Sequence, residues 1–219
     1  MTKIDNSTFK AIKKDKKDKE YISKVSTFDK GHYGHSRKYK NTKMMMVLVL
    51  FLFILADVMI SLILFQTRKT WFIVFGCIMA IPFARNLIDF IMALKAEPLE
   101  GEEYETVSGI EEETGKCFLY DISITDTDGV VYIPCMMVCN NNIVAFVPKV
   151  KEASGREKIK KYIGNANTLE SFSGTMNFRI VVTENIKTFE KEVRKIKLPD
   201  KENKKYDNEM RDRILSMGF

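Results

Sequence analysis

Histidine is nearly absent from this sequence: its two copies, His32 and His35, both stand before the first long apolar segment. The rest of the chain therefore lacks the commonest general base and metal ligand of enzymes. The sequence also has no glycine-rich phosphate loop and no serine in a G-x-S-x-G turn. These absences exclude the commonest nucleotide-binding and acyl-transfer sites, and we predict no bound cofactor.

Cysteine is sparse too, and its spacing fits neither a disulfide framework nor a C-x-x-C redox pair. The four residues are Cys77, Cys117, Cys135 and Cys139. A structural zinc site has four ligands. Neither the two thiols on one strand nor the His-x-x-His pair in the tail supplies enough of them. We therefore predict buried free thiols in a reducing compartment and no bound metal.

Positive charge is present but unevenly distributed. Residues 1–43 hold 13 Lys and Arg against 5 acids, whereas residues 100–219 hold 18 against 21. A basic tail joined to a mildly acidic domain argues against nucleic acid as a partner. The tail is also poor in large apolar residues, so it is predicted to be disordered.

Two long apolar runs follow the tail. Met44–Phe65 has 22 residues, and Trp71–Leu94 has 24. About 20 apolar residues cross the hydrocarbon core of a bilayer, so both runs predict transmembrane helices. The five polar residues between them, 66–70, predict a tight turn.

The charges beside these runs predict their orientation. Lys and Arg are retained on the cytoplasmic side and are dense before the first span, so both termini are expected in the cytoplasm, with the chain in the cell membrane. The basic residues nearest the membrane either contact anionic lipids or serve only as a topology signal. They are Arg37, Lys38, Lys40 and Lys43.

Three charges lie inside the predicted spans. Arg85 and Asp89 are four residues apart on one helix face, and Asp57 of the first span could meet Arg85 across the hairpin. We interpret them as an intramembrane ion pair that joins the two helices. A proton or ion relay is the alternative.

The region after the spans predicts an α+β domain with a mixed sheet, in the order β-β-β-α-β-α-α. Its strands are expected over Lys116–Thr125, Val130–Cys139, Ile143–Pro148 and Phe178–Thr183. Pro134 interrupts the second strand and predicts a bulge or an edge position. The whole organisation is a disordered basic tail (1–43), a transmembrane hairpin (44–95, with spans 44–65 and 71–94), a linker (96–114) and a cytoplasmic domain (115–219).

Three acids, Asp121, Asp126 and Asp128, cluster around the first predicted turn of this domain. Aspartate favours turns, which is the simpler interpretation. The leading hypothesis is therefore a membrane-anchored scaffold or recruitment domain without catalytic activity, which implies an unidentified protein partner and allows homo-oligomers. The alternative is a membrane-tethered, metal-dependent hydrolase or nuclease that uses the three carboxylates.

The chain has two resemblances. Gly31-His32-Tyr33, Thr67-Arg68 and Pro82-Phe83-Ala84-Arg85 resemble a family of uncharacterised small two-span membrane proteins of clostridia and related Firmicutes, which implies no particular activity. The strand and helix order resembles the restriction-endonuclease-like core, which implies an acid near one strand, as Asp121 or Asp128 would be, and an acidic-x-Lys motif on the next. Residues 143–149 contain no acid, so this resemblance implies a non-catalytic scaffold.

Overall fold

The computed structural model of the chain describes residues 30–65, 71–126, 129–148, 153–168 and 178–218. Most of the predicted basic tail therefore lies outside the described residues. The chain divides into two compact units, a helical hairpin and an α+β domain.

The helical hairpin is the smaller unit and covers Ser36–Ala96. Its helices are α1 (His35–Phe65) and α2 (Trp71–Leu94), and the turn predicted at 66–70 lies outside the described residues. Both helices are long and apolar enough to cross a membrane, and only 11% and 6% of their most apolar stretches are buried. A core helix of a soluble protein would be mostly buried, so these helices present apolar faces that need another covering.

The two helices of the hairpin run antiparallel. The ring centroids of Phe51 and Phe83 are 6.2 Å apart, and those of Phe53 and Phe75 are 6.3 Å apart. Higher residue numbers on α1 are thus matched by lower numbers on α2. Both connections of the hairpin to the rest of the chain therefore leave from the same end of the hairpin.

The α+β domain is formed by the residues up to His35 together with those from Glu97 onward. Its helices are α3 (Gly101–Thr114), α4 (Ala153–Thr168), α5 (Ile186–Lys195) and α6 (Lys201–Ser216), and its strands are β1 (Phe118–Asp126), β2 (Gly129–Cys139), β3 (Asn142–Phe146) and β4 (Arg179–Thr183). The predicted α+β class with a mixed sheet is confirmed. The borders differ from the prediction, because the segment before α1 and the segment expected as a linker are both part of the domain.

Helix α3 occupies most of the segment predicted as a linker (96–114). Its sequence is rich in glutamate, but Val107 and Ile110 are 0% and 4% exposed, and they pack on the sheet with Leu99. Gly115, with a φ of +63°, ends the helix in the left-handed conformation that favours glycine. The acid-rich face of α3 lies toward solvent, and the many glutamates make the short apolar stripe on the opposite face hard to recognise in the sequence.

The sheet has the order β1-β2-β3-β4. Its first three strands are antiparallel, and β4 lies parallel to β3 after the crossover through α4. The β2–β3 connection uses Asn140 and Asn141 with φ of +49° and +58°, as a tight two-residue hairpin requires. Asp207 of α6 accepts hydrogen bonds from both of their N–H groups, at 2.7 and 3.3 Å.

Both faces of the sheet are buried. One face packs on α4 and α6, and the other packs on α3 and α5. Alternate residues of β2 therefore enter different cores: Met136 and Val138 on one face, and Cys135, Met137 and Cys139 on the other. This two-sided burial explains why β2 is apolar at successive positions instead of alternating.

Pro134 lies in the interior strand β2, opposite Asp121 of the edge strand β1. The register pairs the residues on either side of these two but passes over both, so one residue is skipped on each strand and no bulge forms. Asp121 adopts a φ of +54°, which is uncommon outside glycine. The prediction of a bulge or an edge position for Pro134 is therefore wrong. Instead, the backbone of Asp121, which lies opposite Pro134 on β1, departs from strand geometry.

Candidate functional site

The residues that precede α1 fold against the α+β domain. Tyr33 is 2% exposed; it stacks on Tyr104 of α3 with ring centroids 3.8 Å apart and meets the edge of Tyr120 on β1 at 6.4 Å. Its hydroxyl donates a hydrogen bond to the carbonyl oxygen of Leu99, 3.0 Å away. We name Tyr33, Tyr104 and Tyr120 the tyrosine cluster. It joins the segment before the hairpin to the segment after it, inside the domain.

Backbone hydrogen bonds close the free edge of the sheet on β1. The N–H of Tyr120 donates to the carbonyl oxygen of Gly31 at 2.8 Å, and the N–H of Thr125 donates to that of Met217 at 3.2 Å. An open strand edge invites pairing with other chains. One bond from the N-terminal segment and one from the C-terminal segment therefore protect the same strand.

Two glycines make this closure possible. Gly31 has a φ of +82°, and a Cβ at that position would lie 3.0 Å from Leu215 Cδ2. A Cβ on Gly218 would lie 1.9 Å from the carbonyl oxygen of Ser123, which no side chain could occupy. The carbonyl oxygen of Gly218 accepts a hydrogen bond from Lys30 Nζ at 2.8 Å. The two ends of the described domain therefore converge on β1.

A buried polar cluster of His35, Asp121 and Ser123 lies beside this closure, with exposed fractions of 4%, 3% and 3%. Asp121 Oδ1 accepts a hydrogen bond from the hydroxyl of Tyr132 at 2.6 Å. These residue types serve in acyl-transfer sites, but the cavity that they line measures about 10 Å³. That volume holds at most about one water molecule, far below the roughly 300 Å³ of a small-molecule site. The cluster therefore supports the fold.

The prediction of a disordered tail over 1–43 is corrected by this arrangement, because residues 30–43 are ordered and His35 belongs to the domain. The domain after His35 still contains no histidine. The signal in the sequence was the motif Gly31-His32-Tyr33-Gly34-His35, which places two glycines and a tyrosine in a segment otherwise rich in lysine. We expected no metal at its His-x-x-His spacing, and the contacts described above are made by Gly31 and Tyr33.

Glu111 of α3 fixes the start of β1. Its Oε1 accepts a hydrogen bond from the N–H of Phe118 at 2.8 Å, and its Oε2 accepts one from the hydroxyl of Tyr120 at 2.7 Å. Burial, followed by the neighbouring Cys135 and the bond to Glu111, raises the pKa of Tyr120 far above its usual range. The phenol therefore remains a protonated structural donor at neutral pH.

Of the three acids of the alternative hydrolase hypothesis, Asp121 is the one whose side chain the structure describes. Asp121 is buried, and Asp126 ends β1 five residues later, about 16 Å further along an extended strand. Asp128 lies outside the described residues. Within the described ranges, no group of three His, Cys, Asp or Glu side chains is placed to hold a metal ion.

In the hairpin, Asp89 pairs with Lys43. Lys43 Nζ lies 2.8 Å from Asp89 Oδ2 and 3.1 Å from Asn86 Oδ1, and the Asn86 amide donates to the carbonyl oxygen of Pro82 at 2.8 Å. Arg85, the expected partner of Asp89, is exposed and forms no salt bridge with another described residue. The antiparallel packing brings Lys43 to Asp89 although 46 residues separate them.

The other predicted site residues of the hairpin lie apart from this pair. Asp57 is 7% exposed and lies against Gly76 of α2, about 13 Å along the helix axis from Arg85. Three of the four expected lipid contacts lie in the first two turns of α1 and are partly exposed: Arg37, Lys38 and Lys40. Their contact with lipid stays a prediction.

The four free thiols fall into two classes. Cys135 and Cys139 are buried, and burial raises the pKa of both, so they stay protonated and unreactive. Cys77 and Cys117 are exposed, which corrects the prediction that all four are buried. Cys117 is therefore a natural reporter of solvent access to the domain.

The outer face of α5 carries mixed charge around a shallow depression of about 460 Å³. Arg194 bonds to Glu190 on the same helix and to Glu113 of α3. Lys187 and Lys191 on this face are exposed.

Comparison of the chain with protein-family models, with characterised proteins and with solved structures finds no match.

Proposed function

We propose that this chain is a membrane-anchored scaffold, in which the hairpin sits in the cell membrane and the cytoplasmic α+β domain recruits a protein partner without catalysing a reaction. The observation that carries the proposal is the exposure of apolar side chains along the hairpin, up to 73% at Ile81 and 67% at Ile63. An apolar surface of this extent needs lipid or another apolar surface against it. The apolar stretches Met44–Phe65 and Trp71–Leu94, with 22 and 24 residues, fall within the roughly 17–25 residues that cross a bilayer core.

The proposed orientation follows from charge. The 13 Lys and Arg among residues 1–43 favour retention of the N-terminus in the cytoplasm. Because α1 and α2 are antiparallel, the chain after α2 then returns to the same side. The free thiols of the domain suit a reducing cytoplasm.

The non-catalytic role is supported by what the buried polar groups of the domain do. Asp207 holds the β2–β3 turn, and Lys116 donates to the carbonyl oxygen of Val193 at the end of α5. Glu111 fixes the start of β1. Each group is engaged in the fold, so the charged outer faces of the helices are the parts left to bind a partner.

We also propose that the chain belongs with the two-span membrane proteins of clostridia and related Firmicutes that it resembles. The segment from Gly31 to Tyr33, on which the resemblance partly rests, makes tertiary contacts with the domain of this chain. For the domain we propose a non-catalytic relative of the restriction-endonuclease-like core. β3, Asn142–Phe146, carries no charged residue where that core has its acidic-x-Lys motif.

The orientation can be tested with Cys117. In a Cys77→Ser background, an impermeant maleimide should leave intact cells unlabelled and should label Cys117 after the membrane is opened, because Cys135 and Cys139 are buried. A Thr67→Cys reporter between the spans should be labelled in intact cells. The measurement is the mass shift of the purified chain.

Cys117→Ser is the matched control, and it should remove the labelling seen after opening. Labelling of Cys117 in intact cells would place the domain outside and contradict the proposal. A chain recovered entirely in the soluble fraction would contradict the anchor itself.

Recruitment can be tested with a photo-crosslinking amino acid at exposed positions on three helices, Glu112, Lys191 and Lys205. At least one position should give a discrete crosslink to another protein in native membranes. The same position in a chain that lacks Ser36–Ala96 should give much less product, because the anchor supplies the local concentration.

The control position is Val193, which is 0% exposed and should give no intermolecular product. Absence of a crosslink from all three exposed positions would argue against recruitment. Metal-dependent cleavage of a phosphodiester that is lost in Asp121→Ala would replace the proposal with the hydrolase alternative.

A further inference from the structure

The hairpin contains a carboxylate that the scaffold role does not use. Asp57 is 7% exposed, and its Oδ2 has no hydrogen-bond partner among the described residues. It approaches α2 at Gly76, where a Cβ would lie 2.9 Å from Oδ2. A larger residue at 76 would push the carboxylate away, so the glycine makes room for it.

Asp57 opens onto a groove between α1 and α2 with a volume of about 640 Å³. Apart from Asp57, its lining is apolar: Phe53, Ala56, Ile60, Val74, Phe75 and Ile78. The volume lies within the roughly 300–1,000 Å³ range of small-molecule sites. The groove therefore offers one acid in an otherwise apolar site large enough for an organic ligand.

A buried acid in apolar surroundings requires either a proton or a cation. Lys43 is engaged by Asp89, and Arg85 lies about 13 Å along α2 from the level of Asp57. In a second copy of the chain with the same membrane orientation, Arg85 would lie at the same depth as in the first copy, so it would be equally far from the level of Asp57. Within the described part of the hairpin, no cation of this chain is thus placed to neutralise Asp57.

The lining restricts which cation fits. Inorganic ions such as Mg²⁺ and Ca²⁺ need about six oxygen ligands, and this groove offers one carboxylate. The rings of Phe53 and Phe75, with centroids 6.3 Å apart, can instead face a cation with their π electrons. The remaining aliphatic side chains suit apolar substituents.

We propose that this groove binds a lipophilic organic cation, an ammonium or phosphonium centre with apolar substituents, with Asp57 as its counter-ion. The proposal is independent of the scaffold role, since it concerns the hairpin alone. It assigns Gly76 the task of admitting the carboxylate and assigns Phe53 and Phe75 the task of facing the cation.

The test uses the full chain in detergent or lipid nanodiscs, with radiolabelled tetraphenylphosphonium in equilibrium dialysis at pH 8. Saturable binding is expected, and Asp57→Asn should weaken it about tenfold or more, because the cation loses its counter-ion in a desolvated site. Asp89→Asn is the matched control: it also removes an intramembrane acid, but one that lies outside the groove, and it should change the affinity less than about twofold.

A second measurement covers the case in which Asp57→Asn disturbs the hairpin. With the unaltered chain, the binding of tetraphenylborate is measured separately. This ion has nearly the same shape and the opposite charge, and it should bind much more weakly because the groove offers an anion no counter-ion. Equal affinity in Asp57→Asn with native helix content, equal binding of tetraphenylborate, or the absence of saturable binding would each overturn the proposal.

Discussion

A chain in which Ser36–Ala96 is replaced by a short Gly-Ser linker should fold as a soluble, monomeric α+β domain. The linker needs to be only about six residues, with a mean span of roughly 13 Å, because Tyr33 and Leu99 are in direct hydrogen-bond contact. The fragment Glu100–Phe219, which lacks the N-terminal segment, should unfold at markedly lower denaturant concentration and should self-associate. It leaves the edge of β1 open and exposes the partners of Tyr33.

Urea unfolding and sedimentation measure the two outcomes. A variant with the Gly-Ser linker that omits residues 1–29 but keeps residues 30–35 should be as stable and as monomeric as the variant that retains residues 1–29. That result would assign the stabilisation to residues 30–35. Equal stability and equal monomer content of the Glu100–Phe219 fragment would contradict this account of the segment.

Tyr33→Ala should lower the free energy of unfolding of the linked domain by about 3–5 kcal/mol, the usual cost of truncating a buried aromatic residue. The ring is 2% exposed and contacts both other members of the tyrosine cluster. Tyr33→Phe should cost only about 0.5–1.5 kcal/mol, because it removes the hydrogen bond to Leu99 and keeps the ring.

His32→Ala is the neighbouring control, and it should be close to neutral because His32 is exposed. Denaturant midpoints of the three variants provide the comparison. If Tyr33→Ala and His32→Ala have the same midpoint, the stacking observed at Tyr33 does not contribute to stability.

The elements with strong periodic or continuous apolar patterns were predictable. The helices α1 and α2 follow from the length of their apolar runs. The strands β1 to β4 follow from short apolar runs, because each strand is buried on one or both faces. The predicted strand borders, Val130–Cys139 and Ile143–Pro148, leave Asn140–Asn142 between them, and asparagine tolerates the left-handed conformation that this turn needs.

The contacts that define the candidate sites were not predictable from one sequence, because they join distant residues. Arg85 and Asp89 are neighbours on a helix, so local spacing suggested their pairing. The observed partner, Lys43, reaches Asp89 only through the antiparallel packing. The segment of helix α3 was expected as a linker with a short, weakly marked helix, because its few apolar residues become a recognisable face only when the sheet is present.

The convergence on β1 of the segment before α1 and the segment after α6 has a consequence for biosynthesis. The contact between Lys30 and Gly218 joins residues 188 positions apart, so this edge of the sheet is sealed only after Gly218 has been synthesised. At 5–20 residues per second, the last 120 residues take roughly 10 s to appear. During that time the hairpin is already complete, and its antiparallel helices bring Ser36 and Ala96 together. Closing a free loop of that length costs roughly 3–4 kcal/mol in chain entropy. An early-forming hairpin therefore lowers the entropy cost of bringing the N-terminal segment to β1. It thereby shortens the time for which the edge of β1 is open to pairing with another chain.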